Sequence, residues 1–81
     1  MKKKVINAFN EMKEQCEIIA NFYKKGEIYE SWIKAYDAIS NQIQIFRDMI
    51  SGMYIYEIID EDFFNKAFEM STEVSAIDLL H

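Results

Sequence analysis

Apolar residues recur along the chain at alternating steps of three and four. Val5, Phe9, Met12, Cys16, Ile19 and Tyr23 follow this spacing without a break, which keeps one face of an α-helix apolar over about five turns. Ile6, Ile18 and Phe22 widen that stripe, while Lys13, Glu14, Glu17 and Lys24 lie outside it. A second stripe runs through Tyr29, Trp32, Tyr36, Ile39, Ile43, Phe46, Ile50 and Met53. A strand, with its period of two, cannot produce such a series. Ile28, Ala35, Ile45 and Met49 flank this stripe, which predicts a central helix in contact with two neighbours.

The last third is less uniform. Tyr56, Ile59, Phe63, Ala67, Met70, Val74 and Ile77 continue a helical period, yet residues 53–59 (MYIYEII) are aromatic and β-branched enough to form a short strand. A lone strand would have no partner elsewhere in the chain, so helix is the preferred reading. Asp60 and the pair Ser71-Thr72 are residue types that begin helices, and either could split this segment.

Punctuation is sparse. There is no proline, and the two glycines, Gly26 and Gly52, divide the chain into thirds. Glycine suits the position just past a helix end, and Lys24 and Lys25 before Gly26 suit the negative end of a helix dipole. The expectation is a single all-α domain over residues 1–81. It is a small antiparallel bundle of three helices at roughly 3–25, 28–51 and 54–79, or four if the last is broken near 60 or 71.

Composition changes this picture in one respect. At 81 residues with six Phe, five Tyr and one Trp, the chain has more large apolar side chains than a domain of this size readily encloses. Some of them should remain at the surface, where they mark contacts with other chains. Self-association or a dedicated protein partner follows as the expectation.

Charge narrows the classes of partner. The net charge of −5 argues against direct binding to nucleic acid, which requires basic residues to displace counterions. The distribution is uneven: residues 1–26 carry six Lys against three Glu, and residues 53–81 carry seven acids against one Lys. Lys2, Lys3 and Lys4 precede an amphipathic segment, a pattern that can bind anionic membranes, but the acidic remainder opposes it. No apolar run approaches the roughly 20 residues needed to cross a bilayer, and polar residues interrupt any signal-peptide core near the start. The single Cys16 cannot form an internal disulfide. A cytoplasmic protein with no membrane association is expected. Its wealth of Ile, Lys, Asn, Phe and Tyr suggests an AT-rich bacterium, or a phage or mobile element acting in one.

Candidate chemistry is thin. Asp60, Glu61 and Asp62, with Glu57 one turn earlier, form an acidic cluster. It lacks the alternating ligands and turn glycine of a calcium loop, and no nucleophile accompanies it. Its ordinary role is a solvated helix start; its functional role would be to dock a protein with a basic surface, for instance by imitating DNA phosphates. Tyr54 and Tyr56 have no firm place on the stripe, so at least one should face outward beside these acids as a partner contact. The partner-binding candidates are therefore Tyr54, Tyr56, Glu57, Asp60, Glu61 and Asp62. Tyr29, Trp32 and Tyr36 could line a ligand pocket but are read as core. Cys16 lies on the apolar stripe and is read as an inert buried thiol, and His81 stands alone. Arg47, the only arginine, has several acids within reach.

No catalytic residue, cofactor or metal is assigned, and an enzyme is not expected. The predicted function is a small acidic interaction module that binds a protein partner and regulates or inhibits it. The alternatives are a homo-oligomeric self-assembler and a small-ligand-binding bundle.

Overall fold

The computed structural model describes residues 2–24, 29–76 and 79. Roles assigned above to Lys25, Gly26, Ile28, Ile77 and His81, and to the side chains of Lys24 and Tyr29, fall outside these. Among the described residues there are three helices and no strand: α1 (Lys2–Lys24), α2 (Tyr29–Ile55) and α3 (Glu61–Glu73). The fold is all-α, a three-helix bundle drawn out into a rod of 44 × 17 × 15 Å.

Two contacts fix the pairing of α1 with α2. The Phe9 and Phe46 rings meet edge to face at 5.7 Å, and the Cys16 thiol lies 3.9 Å from the Ile39 carbonyl oxygen. As α1 advances, its partner residue on α2 recedes, so the two helices are antiparallel. Their seam is the pair of sequence stripes: Val5, Met12, Cys16, Ile39, Ile43, Phe46 and Ile50 are all buried. The same register brings Ala20 level with Ala35, both closed to solvent. The seam at that level is thus lined by small side chains.

Helix α3 packs antiparallel to α2, with Tyr54 stacked on Phe64 at 4.9 Å and Arg47 bonded to Ser71 and Thr72. Its buried face is Ala67 and Ser71. Lys2 Nζ sits 5.5 Å from the Phe63 ring centroid, which places the start of α1 beside the start of α3.

Four expectations are corrected. The helices are not equal: α3 has 13 residues, about 20 Å of helix, against 27 residues and about 40 Å for α2. Gly52 does not end a helix. It lies inside α2, where the stripe continues to Met53 and the cost of one internal glycine, about 1 kcal/mol, is outweighed by packing. Residues 54–79 are not one continuous helix: of the two candidate breaks, the one near 60 is found, with residues 56–60 non-helical and Asp60 capping α3, which ends at Glu73 rather than restarting at 71. Finally, Trp32 and Tyr36 are more than two-fifths exposed rather than core, because α3 is too short to cover that end of α2. Ile45 and Met49 are likewise exposed; the second neighbour of α2 is met by Arg47 and Tyr54 instead.

Candidate functional site

The sequence candidates gather at the junction between α2 and α3. Its shape follows from how α2 ends. The Ile58 N–H donates to the Met53 carbonyl at 2.8 Å and the Glu57 N–H to the Tyr54 carbonyl at 3.0 Å. This pair of bonds is the Schellman motif, which satisfies the carbonyls left over at a helix terminus. The motif needs a left-handed residue just past the cap, a place usually given to glycine. Here Glu57 occupies it, with φ 60°. Ile59, 6 % exposed, then anchors the link in the core.

Asp60 restarts the helix. Its backbone is extended, and its Oδ1 accepts a 2.8 Å bond from the Phe63 N–H. That is an N-cap, and Glu61 and Asp62 add carboxylates to a first turn whose dipole favours them. Ile59 before the cap and Phe64 in the first turn both pack into the core, at the positions of a hydrophobic staple. The link is thus determined at both ends by its own backbone bonds and caps.

The six candidates are placed as follows. Tyr54 lies on the side of α2 that meets α3, where its ring stacks on Phe64, and Phe64 leads on to Phe68 at 6.1 Å. Tyr56 projects from the first residue after α2 and is 80 % exposed. Glu57, Asp60, Glu61 and Asp62 are all exposed around it. The sequence did not single out Ile55 and Ile58, which flank Tyr56 and are 74 % and 43 % exposed. Their signal was present: neither fits the stripe that Tyr56 and Ile59 were read to continue. The result is three large apolar side chains and four carboxylates, all exposed, within residues 55–62. Lys2 stands at the same end of the rod, so the basic and acidic ends of the sequence are folded together rather than held apart.

Arg47 resolves onto α3. Its Nε donates to Ser71 Oγ at 2.9 Å, its Nη2 to Thr72 Oγ1 at 3.2 Å, and its guanidinium lies 4.6 Å from the Phe68 ring centroid. Both hydroxyls in turn donate to the Phe68 carbonyl, at 2.6 and 3.0 Å. The last turn of α3 has no basic residue of its own, and Arg47 brings a positive charge to that negative helix end from the neighbouring helix.

Cys16 is buried between Met12 and Ile39. Burial pushes its thiol above the ordinary range, and the nearby Glu17 carboxylate pushes in the same direction. A thiol so placed stays protonated and is a poor nucleophile. Among the described residues no three His, Cys, Asp or Glu side chains converge as a metal-holding group, and no helix is long and apolar enough to cross a membrane. Compared with protein-family models, curated proteins and solved structures, the chain matches none of them.

Proposed function

We propose that this protein is a non-catalytic interaction module that docks a protein partner through the α2–α3 junction and thereby regulates or inhibits it. The observation that carries this reading is the run Ile55, Tyr56 and Ile58. These are three large apolar side chains in four residues, held out in solvent by a turn whose backbone bonds leave it little freedom. An aromatic anchor with apolar neighbours and a polar rim is the usual anatomy of a protein contact. The fitting partner offers a shallow apolar recess for Tyr56, edged with Arg or Lys to meet Glu57, Asp60, Glu61 and Asp62. The short distance to Lys2 limits how basic that partner's surface can be. The reading places the protein in the cytoplasm, of a bacterium or of the host of a phage.

The test is affinity capture from the source cell with wild-type chain and with the double variant Ile55→Ser, Tyr56→Ala. Both positions are largely exposed, so the fold should survive, and circular dichroism checks that it does. The expected result is one stoichiometric protein captured by the wild type and lost with the variant. Identical captures by both chains would overturn the reading. A second reading, self-assembly, draws on a different face, described next.

A further inference from the structure

Helix α3 covers one side of the α1–α2 hairpin and leaves the other open. On that side a shallow groove runs between the helices, lined by Ala8, Glu11, Met12, Gln15, Gln42, Ile45, Phe46 and Met49. Steps of three and four carry the same face of α1 onward from Ala8, Glu11 and Gln15 to Ile18 and Phe22. Four large apolar side chains stand exposed along it: Ile18 (52 %), Phe22 (72 %), Ile45 (62 %) and Met49 (37 %). They form two pairs. Ile45 and Met49 lie on α2 near the start of α1. Ile18 and Phe22 lie on α1 near the start of α2. The pairs are therefore diagonal across the face, and the facing helix presents Ala8 between the first pair, and Ala38 beside Ile18 with Lys34 beside Phe22 at the other end.

We infer that this face is the contact between two copies of the chain, related by a twofold axis along the rod. That rotation lays α1 of one copy over α2 of the other. Ile45 and Met49 then fall over Ala8 of the second copy, Ile18 falls over its Ala38, and Phe22 falls beside its Lys34, with the same contacts repeated in reverse. A surface that presents large side chains against its own small ones is self-complementary, as a twofold interface requires. Each of the four stacked helices gains an antiparallel neighbour, and the product is a two-layer four-helix bundle with an α3 on each outer side.

Two further observations favour a second copy as occupant. The rod's 44 × 17 Å side has an outline of roughly 750 Å², so a second copy laid along it can approach, at most, the ~800 Å² per side of a standard stable complex. The groove lining also carries one charge, Glu11, in eight residues, so a chain of net −5 does not repel itself across it. The groove lining stops at Met49, about two turns short of Tyr56, so the α2–α3 junction stays open to the partner proposed above; neither reading depends on the other.

Sedimentation of the full chain tests the inference. The expected mass is twice the 9.6 kDa of one chain, and Ile45→Glu or Phe22→Glu should weaken the dimer at least about 100-fold while helicity is retained. Ile55→Ser with Tyr56→Ala should leave it intact. A wild-type chain that stays monomeric at 100 μM-scale loading, or a dimer that survives both Glu variants, overturns the proposal. The arrangement has its own check in a Cys16→Ala background. Chains carrying Ala8→Cys, mixed with chains carrying Met49→Cys, should form the mixed disulfide under mild oxidation. Ready crosslinking of Ala8→Cys to Phe22→Cys instead would mean copies lying head to tail and would overturn the proposed axis.

Discussion

Arg47 Nε donates to Ser71 Oγ at 2.9 Å across 24 residues of sequence, and Ser71 is fully closed to solvent. This contact ties α3 to the hairpin more specifically than the apolar packing around it. It uses a rigid planar donor, it continues through Ser71 to the Phe68 carbonyl, and it places a cation at an uncompensated helix end.

Arg47→Ala should therefore lower stability by about 2–3 kcal/mol, the range for charge-assisted bonds plus a partly exposed cation–π contact. Arg47→Lys keeps the charge but not the two-pronged geometry, and should recover less than half of that. Urea unfolding midpoints for the three chains decide the matter. Equal midpoints for wild type and Arg47→Ala would show the brace to be idle.

At the junction, Glu57 and Asp60 should respond in opposite directions. Glu57 has a φ that side chains with a Cβ adopt at a cost of about 1 kcal/mol, so Glu57→Gly should be neutral to stabilising and Glu57→Val clearly destabilising. Asp60→Ala removes the cap on the Phe63 N–H and should cost about 1 kcal/mol, most of it restored by Asp60→Asn. The Asn variant keeps the structure while deleting a charge, which makes it the right probe of whether that carboxylate matters to a partner.

Gly52→Ala should stabilise the protein by about 0.5–1 kcal/mol. The position is mid-helix, and a Cβ built there meets nothing within 4 Å. Thermal unfolding in parallel with wild type gives the sign directly. Gly52 lies just past Met49 on the face inferred to meet a second copy, so a loss of stability would mean that this contact extends over Gly52.

The Cys16 thiol gives a pH dependence. Its pKa is raised in the folded chain, so the unfolded chain loses the proton first as pH rises. The thiol's contribution is complete below the ordinary thiol pKa and declines above it. Denaturant midpoints should fall through the mildly alkaline range in the wild type and less steeply in Cys16→Val. Labelling by a thiol reagent at neutral pH should proceed no faster than opening of the α1–α2 seam.

Much of this fold was legible from spacing alone. The two long stripes run through residues that are buried in the structure, from Val5 to Cys16 and from Ile39 to Ile50. Asp60 could be read as a helix start because an N-cap acts within three residues of itself. What escaped was whatever depends on distant partners. Nothing near Arg47 in sequence points to Ser71 and Thr72. Gly52 was misread because local propensity is weak beside the packing of a long helix. The exposure of Trp32, Ile45 and Met49 could not be seen, since periodicity shows that a residue lies on an apolar face but not how long the third helix is or which side of the hairpin it covers.

The pairing of Ala20 with Ala35 has a consequence for how this protein can change over generations. Both methyls are closed to solvent, so a larger side chain at either position must displace its neighbours, and the penalty grows with every added carbon. Near Phe9 and Phe46 the helices are separated by rings, and a lost carbon leaves a void instead. One end of the rod therefore tolerates shrinkage poorly and the other tolerates growth poorly. A library of substitutions along the seam should show its permitted residue volumes rising from one end to the other, a gradient that would report the taper of the helix pair in living cells without any structure determination.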